Sequence, residues 1–143
     1  MKILVINGPN LARLDIRDSS IYGDLNYGEL KSLIQGAALT HGFEADIRQS
    51  DDEATIIGWL HEAADKKIPV IINLAAFTHY SYAIRDAAEL LTSPLIEVHL
   101  SNPMSREEFR HTSVISGVAT GTIAGFGPNS YVLAIIALKN LIG

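Results

Sequence analysis

Lys2-Ile3-Leu4-Val5-Ile6-Asn7-Gly8-Pro9-Asn10 decides how the rest of the chain is read. The run from Ile3 to Ile6 is apolar at every position and is cut off abruptly by Gly and Pro. That is the pattern of a strand covered on both faces, which belongs to a parallel sheet flanked by helices. Working outward, four more short runs rich in Ile and Val alternate with longer segments of helical period. The expected strands lie near residues 2–7, 43–49, 68–73, 94–100 and 118–125.

The first expected helix spans about 26–41, because Leu30, Leu33, Ile34, Ala37 and Ala38 share one face and Gly42 is a natural stop. A second begins at Ser50-Asp51-Asp52-Glu53, which has the spacing of a capping box. It carries the stripe Ile56, Ile57, Leu60, Ala63, Ala64 and ends at Lys66-Lys67, the favourable end of the dipole for cations. A third is expected from Thr78 or His79 to about Leu91, which would put His79 and Asp86 on one face. The last, roughly 130–141, is apolar nearly all round and implies burial on more than one side, most simply between subunits. Five strands in this pattern predict an α/β protein with a flavodoxin-like, doubly wound five-stranded parallel sheet and helices on both faces. Ligands of such sheets bind at the carboxyl ends of the strands.

At 143 residues the chain fits one domain, 1–143, long enough to bury a sizeable core. Apolar residues make up 48% and charged residues 19%, and the net charge is -5 without any Lys/Arg block, so neither nucleic acid nor an anionic membrane is expected as a partner. Basic residues gather instead in small groups, Arg13 with Arg17 and Arg106 with Arg110, which suits a small anionic ligand. There is no cysteine, hence no disulfide, thiolate metal site or cysteine nucleophile. Met1-Lys2 precedes an apolar run too short for a secretion signal, and the apolar segment 131–142 is interrupted by Lys139 and Asn140. A soluble cytoplasmic protein is the expectation.

The polar stretch from Asn7 to Gly23 is unusually long for a connection in a small domain, and such loops tend to be lids or binding loops. It carries Arg17 and Tyr22. A tyrosine ordinarily titrates near 10, so a base working near neutrality needs roughly 4 kcal/mol of preferential stabilisation of its phenolate. One exposed arginine cannot supply that, whereas two in a closed, water-poor pocket could. The segments after the other strands meet this loop at the same sheet edge: Asn73 to His79, and Glu97-Val98-His99-Leu100-Ser101-Asn102 with Arg106 and Arg110 beyond. Alternation puts Glu97, His99 and Ser101 on one side of their strand, an uneconomical choice for a buried strand unless those groups work. The inventory of tyrosine with arginines, histidine with carboxylate, and the amides of Asn10 and Asn73 suggests proton removal and proton delivery on a small anion, without metal or redox cofactor.

Weaker signals read as structure. Gly125-Phe126-Gly127-Pro128-Asn129-Ser130 follows the last strand, lacks a third glycine, and has no acidic residue about 20 positions on, so it is a strand-to-helix turn rather than a dinucleotide fingerprint. Glu108-Phe109-Arg110-His111 has one Glu-x-x-His spacing where a paired-metal site requires two. Ser81 has no Gly-x-Ser-x-Gly elbow around it.

Taken together, Asn7-Gly8-Pro9-Asn10-Leu11, Arg17 with Ile21-Tyr22-Gly23, Gln49-Ser50, Thr78-His79 with Arg85-Asp86-Ala87, Ile96-Glu97-Val98-His99-Leu100-Ser101-Asn102, Arg106-Glu107-Glu108-Phe109-Arg110 and the closing Gly-rich turn resemble the type II 3-dehydroquinate dehydratases. The resemblance covers nearly the whole chain in order. It implies a flavodoxin-like fold, no cofactor, a homododecamer built from trimers, and dehydration of 3-dehydroquinate to 3-dehydroshikimate by anti elimination through an enolate. By position it makes Tyr22 the base, Arg17 its activator and His99 the general acid. Asn10 would help hold a water at the enolate, and Glu97 would orient the histidine. Asn73, His79, Asp86, Leu100, Ser101 and Arg110 match substrate-binding positions, and Arg106 matches a second arginine near the tyrosine. The chain departs from the family pattern at Asp15 and Ala75, both usually glycine, at Asp18-Ser19, usually Glu-Pro, and at Tyr80, usually threonine. A methyl group at 75 would crowd a backbone meant to approach the ligand, and Asp15 would weaken an anion's hold. Those departures motivate a second reading, a family member that binds a small carboxylate with weak or no turnover. The fold by itself also suggests a flavin- or nucleotide-binding module.

Overall fold

A computed structural model describes all of residues 1–143. In chain order the elements are β1 (Lys2–Asn7), α1 (Ser19–Tyr22), α2 (Tyr27–Thr40), β2 (Glu44–Gln49), α3 (Glu53–Lys66), β3 (Val70–Asn73), α4 (Tyr82–Glu89), β4 (Leu95–His99), β5 (Gly121–Ala124) and α5 (Asn129–Ile142). The five strands form one sheet in the order β2-β1-β3-β4-β5, and every pair is parallel. This is the flavodoxin-like order, whose direction reverses between β1 and β3.

Strand alternation sorts the core into two layers. Ile3 and Val5 of β1, Ile71 of β3 and Ile96 and Val98 of β4 pack against Leu30 and Ile34 of α2 and Tyr131, Ile135 and Leu138 of α5. Their sequence neighbours Leu4, Ile6, Val70, Ile72 and Leu95 pack on the other face against Ile56 and Leu60 of α3 and Ile84 and Ala88 of α4. Each fully buried Leu or Ile in these layers contributes on the order of 1.5–3 kcal/mol relative to exposure. The inner strands are thus mostly apolar because both faces are covered, and their polar exceptions, Asn7, Asn73, Glu97 and His99, lie at or near their carboxyl ends. β2 and β5, at the sheet edges, carry Asp46, Arg48 and Thr122 and are only partly buried.

Helix ends follow local chemistry. α2 starts with a capping box between Asn26 and Glu29, and it ends in a Schellman arrangement in which Phe43 N–H reaches Ala38 C=O and Gly42 N–H reaches Leu39 C=O, with Gly42 at φ 82°. Two expected helix starts are corrected. α3 is capped by Asp52, which accepts from Thr55 N–H, while Ser50 Oγ accepts from Asp52 N–H; the Ser50–Glu53 box does not form because the helix begins two residues later. The third expected helix is broken, since Ala75–His79 forms a separate 3-10 turn and α4 starts only after Ser81, its N-cap. Hence His79 and Asp86 are not on one helical face.

The long segment after β1 contains regular structure instead of running as a plain loop. Leu11–Ile16 makes a 3-10 turn whose Leu11 and Leu14 are buried against α2, and Asp18 caps α1 by accepting from Ser20 N–H. At its root, Gly8 N–H donates to Asn73 C=O at 2.7 Å, and a Cβ at Gly8 would lie 2.5 Å from the Leu74 carbonyl oxygen. Only glycine lets the ends of β1 and β3 approach so closely. Gly8→Ala is therefore expected to lower stability by at least about 2 kcal/mol, read from urea unfolding midpoints; an unchanged midpoint would mean the two strand ends are free to separate.

Candidate active site

At the point where the sheet reverses, the carboxyl ends of β1, β3 and β4 open into a cavity that communicates with solvent at its mouth, the place where sheets of this kind bind their ligands. Pro9 and Asn10 line it from β1, Asn73, Ala75 and His79 from β3, and His99, Leu100 and Ser101 from β4. Arg17, Tyr22, Arg106 and Arg110 complete the wall.

Two clusters of opposite character face this space. In the first, Arg106 Nη2 donates to the Tyr22 hydroxyl at 2.6 Å and Nη1 to Ser101 Oγ at 3.2 Å, while the Arg17 guanidinium lies over the tyrosine ring, 3.6 Å from its centroid. Burial, with repulsion from Arg106 and Arg110, holds Arg17 below the usual guanidinium range against the pull of Tyr22. Arg17 therefore points inward, and α1 is folded over the cavity rather than away from it. Arg106 makes the direct hydrogen bond to the phenolic oxygen, while Arg17 lies over the ring and also interacts with that group; sequence placed Arg106 only near the tyrosine.

In the second cluster, His99 Nε2 meets Glu97 Oε2 at 2.5 Å, with Glu97 only 1% exposed. Burial pushes the Glu97 carboxyl upward, but hydrogen bonds from His99, Ser116 and Ser113 outweigh it, so the group titrates below the ordinary carboxylate range. The other ring nitrogen, Nδ1, makes no hydrogen bond within the chain. His79 donates from Nδ1 to the Thr112 carbonyl at 2.8 Å, and burial, aided by His99 and Arg110, keeps it below the usual imidazole range. A neutral ring in that tautomer offers Nε2 as an acceptor. The Asn73 side chain accepts from Ala75 N–H through Oδ1 and donates to Tyr131 Oη at 2.9 Å, leaving one amide hydrogen unused. The backbone N–H groups of Leu100 and Ser101 have no partner in the chain, and successive free N–H groups at a strand end suit an anion.

Other predicted residues behave differently. Asn10 stands at the cavity mouth in a left-handed conformation, φ 69°, with its backbone N–H on Asp51. Arg110 lines the cavity and is steadied by Glu107 at 3.2 Å. Asp86 is not brought in: its side chain is 74% exposed on α4 and lies beside Arg85. Arg13 does not join Arg17, because it pairs with Asp15 at 3.1 Å on the surface, which also takes the Asp15 charge out of the site. Ala75 sits in the wall at φ 51°, a left-handed conformation that costs an alanine about 1–2 kcal/mol and that glycine adopts freely. Sequence reading missed Ser113, Ser116, Thr122 and Tyr131, which hold Glu97 and Asn73; hydroxyls scattered on a loop and an edge strand carry no local signal, and Tyr131 looks like one more apolar helix residue.

Fold and site together define an α/β protein of the flavodoxin-like type with a cationic crevice at the switch point of its sheet. Residues 1–139 match the family described as dehydroquinase class II. The chain is 53% identical to a 3-dehydroquinate dehydratase of Mycobacteroides abscessus over 94% of each chain, and 53% identical to one of Salinispora tropica over the same shares. The crystal structure of type II dehydroquinase from Propionibacterium acnes superimposes with a TM-score of 0.95 at 47% identity, covering 97% of this chain and 96% of that one. This chain belongs to the class II dehydroquinase family.

Because the folded-state value for Glu97 lies below that of a free glutamate, near 4.3, its ionisation stabilises the fold fully above about 4.3, and that stabilisation is lost as pH falls through the folded value. Glu97→Gln should be the less stable protein near neutrality, and its urea midpoint should converge on that of the wild type as the pH is lowered from about 5 toward 3. A gap that stays constant across that range would contradict an ionised, hydrogen-bonded Glu97.

Proposed function

We propose that this enzyme, a 3-dehydroquinate dehydratase of the class II dehydroquinase family, eliminates water from 3-dehydroquinate by an anti course through an enolate to give 3-dehydroshikimate. Tyr22, as its phenolate, takes the proton alpha to the ketone. Arg106 at the oxygen and Arg17 over the ring hold that negative charge while it exists. Asn10 helps keep a water at the enolate oxygen. As the enolate collapses, the carbon–oxygen bond beta to the ketone breaks and His99 delivers a proton to the departing hydroxyl, which leaves as water. Glu97 orients the imidazole and balances its charge when it carries two protons. The free N–H groups of Leu100 and Ser101 suit the substrate carboxylate, and Arg110, Asn73 and neutral His79 meet its hydroxyls, His79 as an acceptor and Asn73 as a donor.

The observation that carries this reading is the presence in one cavity of a tyrosine oxygen held by Arg106 at 2.6 Å and a histidine held by buried Glu97 at 2.5 Å. One is arranged to accept a proton and the other to give one. No lysine lines the cavity, so an iminium on the ketone is not part of the scheme. Ala75, strained in the wall, is what favours the second reading, a binder of small carboxylates without turnover.

The assembly and setting are part of the proposal. We take residues 1–143 as one catalytic domain, working in the cytoplasm on the shikimate pathway or in quinate breakdown, as a homododecamer of trimers. Leu133, Ile136 and Leu141 leave an apolar strip exposed on α5, consistent with subunit contacts, and exposed Asp86 would reach substrate only in the cavity of a neighbouring subunit. No helix is long and apolar enough to cross a membrane. Sedimentation should give a mass near twelve protomers of 15.5 kDa, and a monomer would contradict the assembly.

Tyr22→Phe and His99→Ala should each lower kcat by about 10²–10⁴ with the fold retained, followed by the ultraviolet absorbance of the conjugated enone product. Tight binding of 3-dehydroquinate by the wild type with no rise in absorbance would select the second reading.

A further inference from the structure

Glu97 has two oxygens and about four acceptor sites, and all are occupied. Oε2 takes His99 Nε2 and Ser113 Oγ at 2.5 and 2.9 Å; Oε1 takes Ser116 Oγ and Thr122 Oγ1 at 2.5 and 3.3 Å. Ser113 differs from the other two hydroxyls. Its oxygen accepts from Ile115 N–H at 3.1 Å and Ser116 N–H at 3.0 Å, so both lone pairs are committed to the backbone and its single hydrogen has one direction left, toward Glu97. Ser116 and Thr122 lie 3.4 Å apart and can exchange donor and acceptor roles, whereas Ser113 cannot. It therefore bars a proton from Oε2 and, as a donor, bonds more strongly to the ionised carboxylate than to the neutral acid.

We propose that Ser113 is a positioning residue for the reaction: the turn it caps is a fixed donor that selects the ionised form of Glu97 and aims it at His99, with Ser116 and Thr122 as adaptable supports. The inference rests on the reading of His99 as general acid. If Glu97 were protonated, nothing buried beside His99 would balance an imidazolium, and the acid would be lost from the site. The other titratable or charged groups around Glu97 are His99 on its own strand, His79 from the 75–79 turn, and Arg110 and His111 from the 108–111 turn; β5 supplies only Thr122. All of these are neutral or cationic, so the hydroxyl donors meet no competing carboxylate.

The test compares Ser113→Ala, Ser113→Thr and Thr122→Val in the full-length enzyme. Two readouts are followed: the pH profile of kcat, and the titration of the Glu97 side-chain carboxyl by carbon-13 NMR, assigned with Glu97→Gln. Ser113→Ala should lower kcat by about tenfold or more, leave KM within about twofold, and move both the acid limb of the profile and the NMR titration upward by on the order of one pH unit. Ser113→Thr should restore both. Thr122→Val, whose hydroxyl has no backbone partner, should shift them the same way by less, which covers the case in which Ser113→Ala loosens the turn. A fall in kcat with neither the limb nor the NMR titration moved in any variant would reduce Ser113 to a structural role and overturn the proposal. The NMR arm needs no turnover, so an inactive wild type would count against the dehydratase scheme while the titration still decided the role of Ser113.

Discussion

The hydroxyl of Tyr131 holds together the two strand ends on which the site is built. Asn7 and Asn73 are register partners at the carboxyl ends of β1 and β3, and the buried phenol from α5 donates to Asn7 Oδ1 at 2.5 Å and accepts from Asn73 Nδ2 at 2.9 Å. Burial pushes that phenol well above the ordinary tyrosine range, so it remains a protonated donor, and the Asn7 amide passes on to Tyr27 of α2 at 3.4 Å. Two helices are thereby tied through polar atoms to the place where a doubly wound sheet parts to admit a ligand. A half-satisfied network there would cost about 1–3 kcal/mol for each orphaned group. Completed, it fixes which atoms of Asn73 are spent on the protein and leaves one amide hydrogen free at the cavity wall.

Around that fixed seam the charges are divided. Arg17 and Arg106 crowd the Tyr22 side, and a buried carboxylate, Glu97, lies behind His99. The segment carrying Tyr22 is held down by the apolar anchors Leu11 and Leu14, by the Asn10 N–H on Asp51 and by the hydrogen bond from Arg106 to the Tyr22 hydroxyl. The glycine turn after β5 fixes the other side: Gly125 N–H bonds to His99 C=O and Gly127 N–H to Leu100 C=O, which sets the end of β4 from behind.

Much of this was legible in the sequence where periodicity or a local motif carried it. The unbroken run Ile3 to Ile6 announced a strand covered on both faces, and the alternation of Glu97, His99 and Ser101 announced a polar strand end, which the structure places beside the cavity. Gly42 marked the end of α2. Reading failed where the deciding contact was distant or ambiguous. Ser50 and Asp52 both have capping chemistry, and only the three-dimensional path of β2 selects Asp52. The helical pattern from His79 to Leu91 conceals a 3-10 turn, because Tyr80 leaves the helical region at φ -152°. Arg13 looked like a partner of Arg17, but Asp15 two residues away captures it. Asp86 could be assigned only by resemblance, and a single chain leaves it in solvent. Ser113, Thr122 and Tyr131 become important only through partners 16, 25 and 58 or more positions away.

The central claim is that proton removal at Tyr22 and proton delivery at His99 occur on one substrate in an anti sense. The direct measurement is the fate of deuterium in 3-dehydroquinate labelled stereospecifically at the carbon alpha to the ketone, read by NMR of the product. Loss to solvent of only the deuterium anti to the departing hydroxyl, with the other retained, is the predicted result. Loss of the syn deuterium, or scrambling of both, would contradict the account.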